Sequence, residues 1–206
     1  MTPNNTLDFD SCVGRLTEIL SYAIKSGAED AARALVLRYG SVDNVFSASF
    51  AELEGVVGRS AAILLYNCAY VTGRRYTDLF VAGRTYSQKD VCNYLKALFI
   101  ADSEEKIYLL TFDAGGRYIA THLISHGTVN TSEVLPRKFV ESAVCDCASS
   151  VIIAHNHPGG NINPSGDDMR FTAMISNVFS VAGIELLYHV IVAGQSARVL
   201  TAGEVL

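Results

Sequence analysis

The chain has 206 residues, of which half are hydrophobic and 18% are charged, and its formal net charge is −5. This length suits one large domain, or a compact domain with a small helical addition, and the composition allows a substantial core. The negative charge argues against a general nucleic-acid-binding surface, although it leaves room for a local basic patch.

The sequence carries no sign of secretion or of a membrane span. Its first residues, MTPNNTLDFD, are polar and acidic, unlike a signal peptide, and its apolar runs are short. An odd number of scattered cysteines favours buried thiols in a reducing compartment over a disulfide framework: Cys12, Cys68, Cys92, Cys145 and Cys147. We therefore expect a soluble cytoplasmic protein without a membrane partner.

The first half of the chain has the apolar spacing of helices. This spacing runs through residues 13–23, 31–37 and 59–70, with short helical pieces over residues 46–57. Ser87 is placed to cap another helix that extends to Phe99. We predict a helical N-terminal module at residues 1–80.

The second half alternates between strand and helix patterns. It predicts a hairpin of strands 107–112 and 117–125, a helix from Pro136, a buried strand at 151–154, a helix near 171–182 and two final strands. The final strands are expected at residues 185–192 and 197–200. This order argues for a three-layer α/β domain at residues 85–206.

The most informative segment is the loop AHNHPGGNINPSGDD, which follows the buried strand. Extended backbone sends His155 and His157 to the same side, and a helix that starts at Ser165 carries Asp168 in its first turn. Two histidines and one carboxylate leave a fourth position for water, as in catalytic zinc sites. Non-haem iron can use the same set, so the residue types leave the metal open.

Each part of this loop also has a simpler interpretation. An isolated His-x-His pair is often a coincidence of a surface loop. Ser165 with Asp168 fits the Ser-x-x-Asp pattern of a capping box, which needs no metal. The interpretations are compatible, because Ser165 can cap the helix while Asp168 binds a metal.

The pattern H-x-H-x7-S-x2-D resembles the signature of the JAMM/MPN metallopeptidases, and the form HNHP followed by PS-x-x-D resembles the RadC-like branch. The segments EKIYLLTFDAGGRYIA, HGTVN, LPRKFVESA and HVIVAG are similar to that branch too. The sequence departs from that branch at a few positions. Pro158-Gly159-Gly160 stands where the branch usually has Pro-Ser-Gly, Lys138 where it usually has an acidic residue, and Tyr188 where it usually has Asp. The resemblance implies an MPN/JAB-like (cytidine-deaminase-like) α/β fold and zinc as the cofactor, held by His155, His157 and Asp168.

The resemblance also implies catalytic roles for two residues. Glu105, at the start of the first strand, corresponds to the general base, with Glu104 and Glu133 as rivals. Ser165 corresponds to a hydrogen-bond donor for the oxyanion. Elsewhere, we expect Asn156 to hold the loop and His189 to be a packing residue or to support a metal ligand. His122 and His126 are weak candidates for metal binding.

The function that the resemblance implies is zinc-dependent hydrolysis of peptide or isopeptide bonds in a peptide or protein substrate. A DNA repair or recombination accessory protein is the alternative, but Val56-Val57-Gly58 replaces the Gly-hydrophobic-Gly hairpin of a DNA-binding module. A metal-free scaffold would not need the intact ligand set. A zinc deaminase would need a Cys-x-x-Cys pair, which the sequence lacks.

Overall fold

The computed structural model describes residues 8–100, 102, 104–127 and 136–201. It divides the chain into two compact units, Met1–Arg75 and Tyr76–Leu206. Among the described residues, no helix combines the length and the apolar character that crossing a lipid bilayer requires.

The first unit is helical, as the apolar spacing predicts. Its helices are α1 (Phe9–Leu20), α2 (Ala28–Tyr39), α3 (Val42–Ser47), α4 (Phe50–Val57) and α5 (Arg59–Thr77), the last of which continues two residues into the second unit. Buried side chains that recur at helical spacing form its core, including Leu16, Leu20, Leu35, Leu53 and Leu65. A capping box between Ser49 and Glu52 begins α4.

The described residues of the second unit form a five-stranded sheet and three further helices. In chain order these are α6 (Gln88–Leu98), β1 (Lys106–Phe112), β2 (Tyr118–His126), α7 (Pro136–Cys145), β3 (Ser150–Asn156), α8 (Gly166–Val181), β4 (Glu185–Ala193) and β5 (Ser196–Leu200). The strand order is β2-β1-β3-β4-β5; β3 and β4 pair in parallel, and the other neighbouring strands pair antiparallel. Helix α8 makes the crossover between these two strands, as parallel pairing requires.

Alternation of side chains along the strands separates two cores, one on each face of the sheet. Ile107, Leu109, Val151 and Ile153 pack with α7 and α8. The intervening residues of β1 and β3 point the other way, to the core that includes α6: Leu110, Phe112, Ile152 and Ala154. Helices therefore cover both faces, and the predicted three-layer α/β fold with N-terminal helices is confirmed.

The structure corrects the expectation of buried thiols at the end of α7. Cys145 and Cys147 are exposed, whereas Cys12 is buried. Helix α7 ends at Cys145, and Cys147 takes a positive φ of 52° where the chain leaves the helix. The predicted helix from Pro136 ends here, because the left-handed conformation of Cys147 turns the backbone toward β3.

Candidate metal centre

The candidate centre lies where β3 ends, on the face of the sheet that α8 covers. Strand β3 extends to Asn156, so His155 is a strand residue whose side chain follows those of Val151 and Ile153 on that face. Ile107 of β1 pairs with His155. Glu105 lies two residues earlier in the chain and reaches the same face. Ligand atoms of Glu105, His155 and His157 all lie within 4.8 Å of one another.

The first turn of α8 adds Asp168 to the histidine pair. The two Nε2 atoms of His155 and His157 lie 2.8 Å apart. Asp168 places Oδ1 3.2 Å from His155 Nε2 and Oδ2 3.5 Å from His157 Nε2. Its side chain is only 4% exposed, and it is held by the Ser165 capping box. The described structure thus brings together all three predicted metal ligands.

The cluster consists of imidazole nitrogens and carboxylate oxygens, which are the atoms that bind metal ions in proteins. His157 Nδ1 lies 2.6 Å from the Asn161 carbonyl, which only accepts hydrogen bonds, so Nδ1 carries a proton, and Nε2 is the ring nitrogen that faces His155 and Asp168. The hydrogen bond to Asp168 raises the pKa of His157. Burial would raise the pKa of Asp168, but the nearby imidazoles of His155 and His157 and a hydrogen bond from Ser165 hold it far below its usual range. Such a cluster attracts a cation.

Comparison with known proteins assigns the second unit to a protein family. A sequence model of the RadC-like JAB domain matches residues 85–203. The chain belongs to the RadC-like JAB domain family. It is 31% identical to a UPF0758 protein of Cupriavidus taiwanensis over 89% of this chain and 84% of that protein. It is 31% identical to a UPF0758 protein of Neisseria gonorrhoeae, with 88% and 84% covered. A UPF0758 protein of Chlorobium chlorochromatii is 28% identical, with 85% and 82% covered.

Within this RadC-like domain, a second buried histidine, His189, contacts the candidate ligand His155. His189 of β4 places Nε2 2.7 Å from His155 Nδ1, and its Nδ1 lies 2.6 Å from the hydroxyl of Thr172 on α8. Burial lowers the pKa of His189 well below its usual value. The structure agrees with the expected supporting position of His189. Sequence reasoning missed Thr172, whose only signal is its place four residues after Asp168.

Asn156, between the two candidate ligands, ties the end of β3 to the start of β1. Its Oδ1 accepts a 2.7 Å hydrogen bond from the backbone N–H of Lys106, and its Nδ2 donates to the Glu104 carbonyl at 3.0 Å. These contacts lie on either side of Glu105. Asn156 therefore holds the backbone on either side of Glu105, whereas the sequence predicted that it holds its own loop.

The other candidate residues occupy separate places. Glu105 is half-buried beside the histidines, Glu104 is exposed, and Glu133 lies outside the described residues. His122 bonds to Asp146 at 2.6 Å, and His126 is exposed at the end of β2. Ser165 Oγ donates to Asp168 Oδ2 at 2.6 Å. Its single hydroxyl hydrogen points at the carboxylate, so a role as oxyanion donor requires it to turn.

In the first unit, Val56 and Val57 are the last residues of α4, and Gly58 joins α4 to α5. Gly58 has a φ of +77°, which a side chain at this position would strain. Arg59, the first residue of α5, forms a 3.3 Å ion pair with Glu54. The expectation of weak DNA binding stays a prediction.

Proposed function

We propose that this RadC-like protein is a zinc-dependent hydrolase of peptide or isopeptide bonds. The observation that carries the proposal is the convergence of two imidazole nitrogens and the Asp168 carboxylate, with the Glu105 carboxylate beside them. Nitrogen and oxygen donors in this number suit zinc in a catalytic site, because three protein ligands leave a position for water. When bound there, zinc supplies a Lewis acid that polarises a carbonyl and acidifies water.

Asp168 fits the part of the carboxylate ligand better than Glu105 does. Its side chain is buried, its carboxylate contacts both Nε2 atoms, and the capping box fixes its position. A ligand gains from such rigidity because its position is set before the metal binds. Glu105 has a longer side chain, is half-buried and lies just before the first residue of β1, so its carboxylate can move by a bond rotation.

Glu105 then acts as the general base. It takes a proton from the attacking water at a carboxylate oxygen and returns it to the nitrogen of the departing amine. A base must lie near the reacting water without binding the metal, since binding would reduce its proton affinity. Asn156 keeps Glu105 in place through its hydrogen bonds to both neighbouring residues.

The test compares Glu105→Gln with Asp168→Ala. Glu105→Gln keeps the shape of the side chain and removes the base, so it should retain zinc while cleavage falls by about two orders of magnitude or more. Asp168→Ala should lose zinc. Glu104→Gln, on the exposed neighbouring residue, is the matched control and should behave as wild type.

Metal is measured by elemental analysis, iron included, on protein purified without added metal. Activity is measured by mass spectrometry after incubation with a mixture of linear and isopeptide-linked peptides. Loss of zinc in Glu105→Gln would make Glu105 a ligand. An active Glu105→Gln beside an inactive, zinc-loaded Glu133→Gln would move the base to Glu133. A wild-type chain without bound metal would contradict the proposed function.

A further inference from the structure

A continuous chain of hydrogen bonds connects two of the candidate ligands behind the metal centre. It starts at the backbone carbonyl of Asp168, passes through Thr172 and His189, and ends at His155. All its members are buried: Thr172 and Asp168 are 3% exposed, His155 2% and His189 1%. Water therefore cannot replace any of these hydrogen-bond partners. The position of each proton is set by which of its two neighbours can donate and which can accept.

The carbonyl at one end determines the direction of the whole chain. A carbonyl only accepts, so Thr172 Oγ1 must donate its single hydrogen to Asp168 O at 2.6 Å. The Thr172 oxygen is then left to accept, and His189 Nδ1–H donates to it at 2.6 Å. Within the described residues, His189 is buried and hydrogen-bonds to Thr172 and His155 but to no carboxylate that would stabilise a second ring proton. Its Nε2 is therefore unprotonated and accepts from His155 Nδ1–H at 2.7 Å.

We infer that Thr172 and His189 are positioning residues that hold His155 in the tautomer with a bare Nε2, the nitrogen that faces His157 and Asp168. The inference rests on the proposed metal site, because a bare Nε2 is what a metal needs from a histidine. Without Thr172, His189 has no acceptor for its Nδ1 proton, and the opposite tautomer of both rings costs no hydrogen bond. His155 would then carry its proton on the metal-facing nitrogen, which a metal must displace.

The first experiment reads the proton positions directly in the full-length, metal-free chain. Long-range proton–nitrogen correlation spectra of protein labelled with nitrogen-15 histidine distinguish a protonated ring nitrogen from a bare one. The chain has five histidines, so single substitutions assign the signals. We expect His155 and His189 both protonated at Nδ1 and bare at Nε2. A wild-type His155 protonated at Nε2 would overturn the inference.

The second experiment removes and restores the hydroxyl. Thr172→Val keeps the shape, and it should mix the tautomers of His155 and weaken zinc binding about 10- to 100-fold, measured by competition with a chromophoric chelator. Thr172→Ser should restore both. Thr111→Val is the matched control, because Thr111 is also buried but bonds to Asp146 rather than to the centre. It should bind zinc as wild type does.

The outcomes separate this inference from the proposed function. A Thr172→Val variant with wild-type tautomers and zinc affinity would overturn the inference and leave the metal site intact. A wild type that binds no zinc would end the proposed function, while the spectra still decide the tautomer. If circular dichroism shows that Thr172→Val does not fold, the inference is judged from the wild-type spectra and from the zinc affinity of Thr172→Ser.

Discussion

The starts of α6 and α8 are built from the same Ser-x-x-Asp capping box and have different surroundings. In α6, Ser87 Oγ donates to Asp90 Oδ2 at 2.6 Å, and in α8, Ser165 Oγ donates to Asp168 Oδ2 at the same distance. Both aspartates also accept from the backbone N–H of their serine. Asp90 is exposed, whereas Asp168 is buried with its second oxygen 3.2 Å from His155 Nε2.

The comparison shows that a capping box by itself does not make a metal ligand. The position of the helix determines whether the aspartate meets the histidines. Helix α8 is the next element after β3, and the loop between them brings the first turn of α8 back over the end of that strand. Helix α6 begins on the other face of the sheet, away from the histidines. Variants at the two boxes therefore separate the effect of capping from the effect of the metal centre.

The largest difference should appear in metal content. Asp168→Ala and Asp90→Ala remove the same capping contacts, but only Asp168→Ala removes a proposed ligand, so it should purify without zinc while Asp90→Ala keeps the wild-type amount. His155→Ala should match Asp168→Ala. Elemental analysis checks this, and equal zinc in all the proteins would show that the α8 box is only a cap.

A second difference is expected in the rate of cleavage. If Ser165 donates to the developing oxyanion, Ser165→Ala should lower kcat about a hundredfold or more, while Ser87→Ala should leave it unchanged. Ser165→Asp keeps a capping oxygen without a hydroxyl donor and should be slow too. Single-turnover rates of zinc-loaded proteins measure the effect. A Ser165→Asp variant as fast as wild type would exclude the oxyanion role.

In stability the two boxes should behave alike. Ser87→Ala and Ser165→Ala each remove an N-cap, and each should lower the free energy of unfolding by about 1 kcal/mol. Urea denaturation of the metal-free proteins, followed by circular dichroism, gives these values. A much larger loss in Ser165→Ala than in Ser87→Ala would mean that Ser165 also supports the fold through Asp168.

The smallest effect is a shift in the titration of Asp90. Hydrogen bonds from the Ser87 hydroxyl and backbone N–H lower the pKa of Asp90 below its ordinary value of 3.8. A lowered folded-state pKa means that the cap contributes fully above pH 3.8 and is lost as pH falls through the folded value. Ser87→Ala should raise the midpoint toward 3.8 in a carboxyl NMR titration. An unchanged midpoint would leave the cap without influence on this carboxylate.

Local patterns were enough to predict most elements of this protein. The continuous apolar run of residues 151–154 predicted a buried strand. The pattern is informative because a strand that is covered by helices on both faces, as β3 is, needs apolar residues at consecutive positions. The Ser-x-x-Asp pattern at Ser165 predicted a helix start, because capping joins residues three apart in the chain. The exposure of Cys145 and Cys147 was wrongly predicted, since it depends on where α7 ends.

The sequence by itself determined the family, the fold class and the three candidate ligands, since His155, His157 and Asp168 come from one short segment. Only the tertiary structure decided which partners surround them. Asn156 reaches β1 across about fifty residues of chain, and Thr172 meets His189 across the sheet and helix layers. Such contacts leave no periodic signal, because their spacing depends on strand order and helix packing rather than on the repeat of a single element.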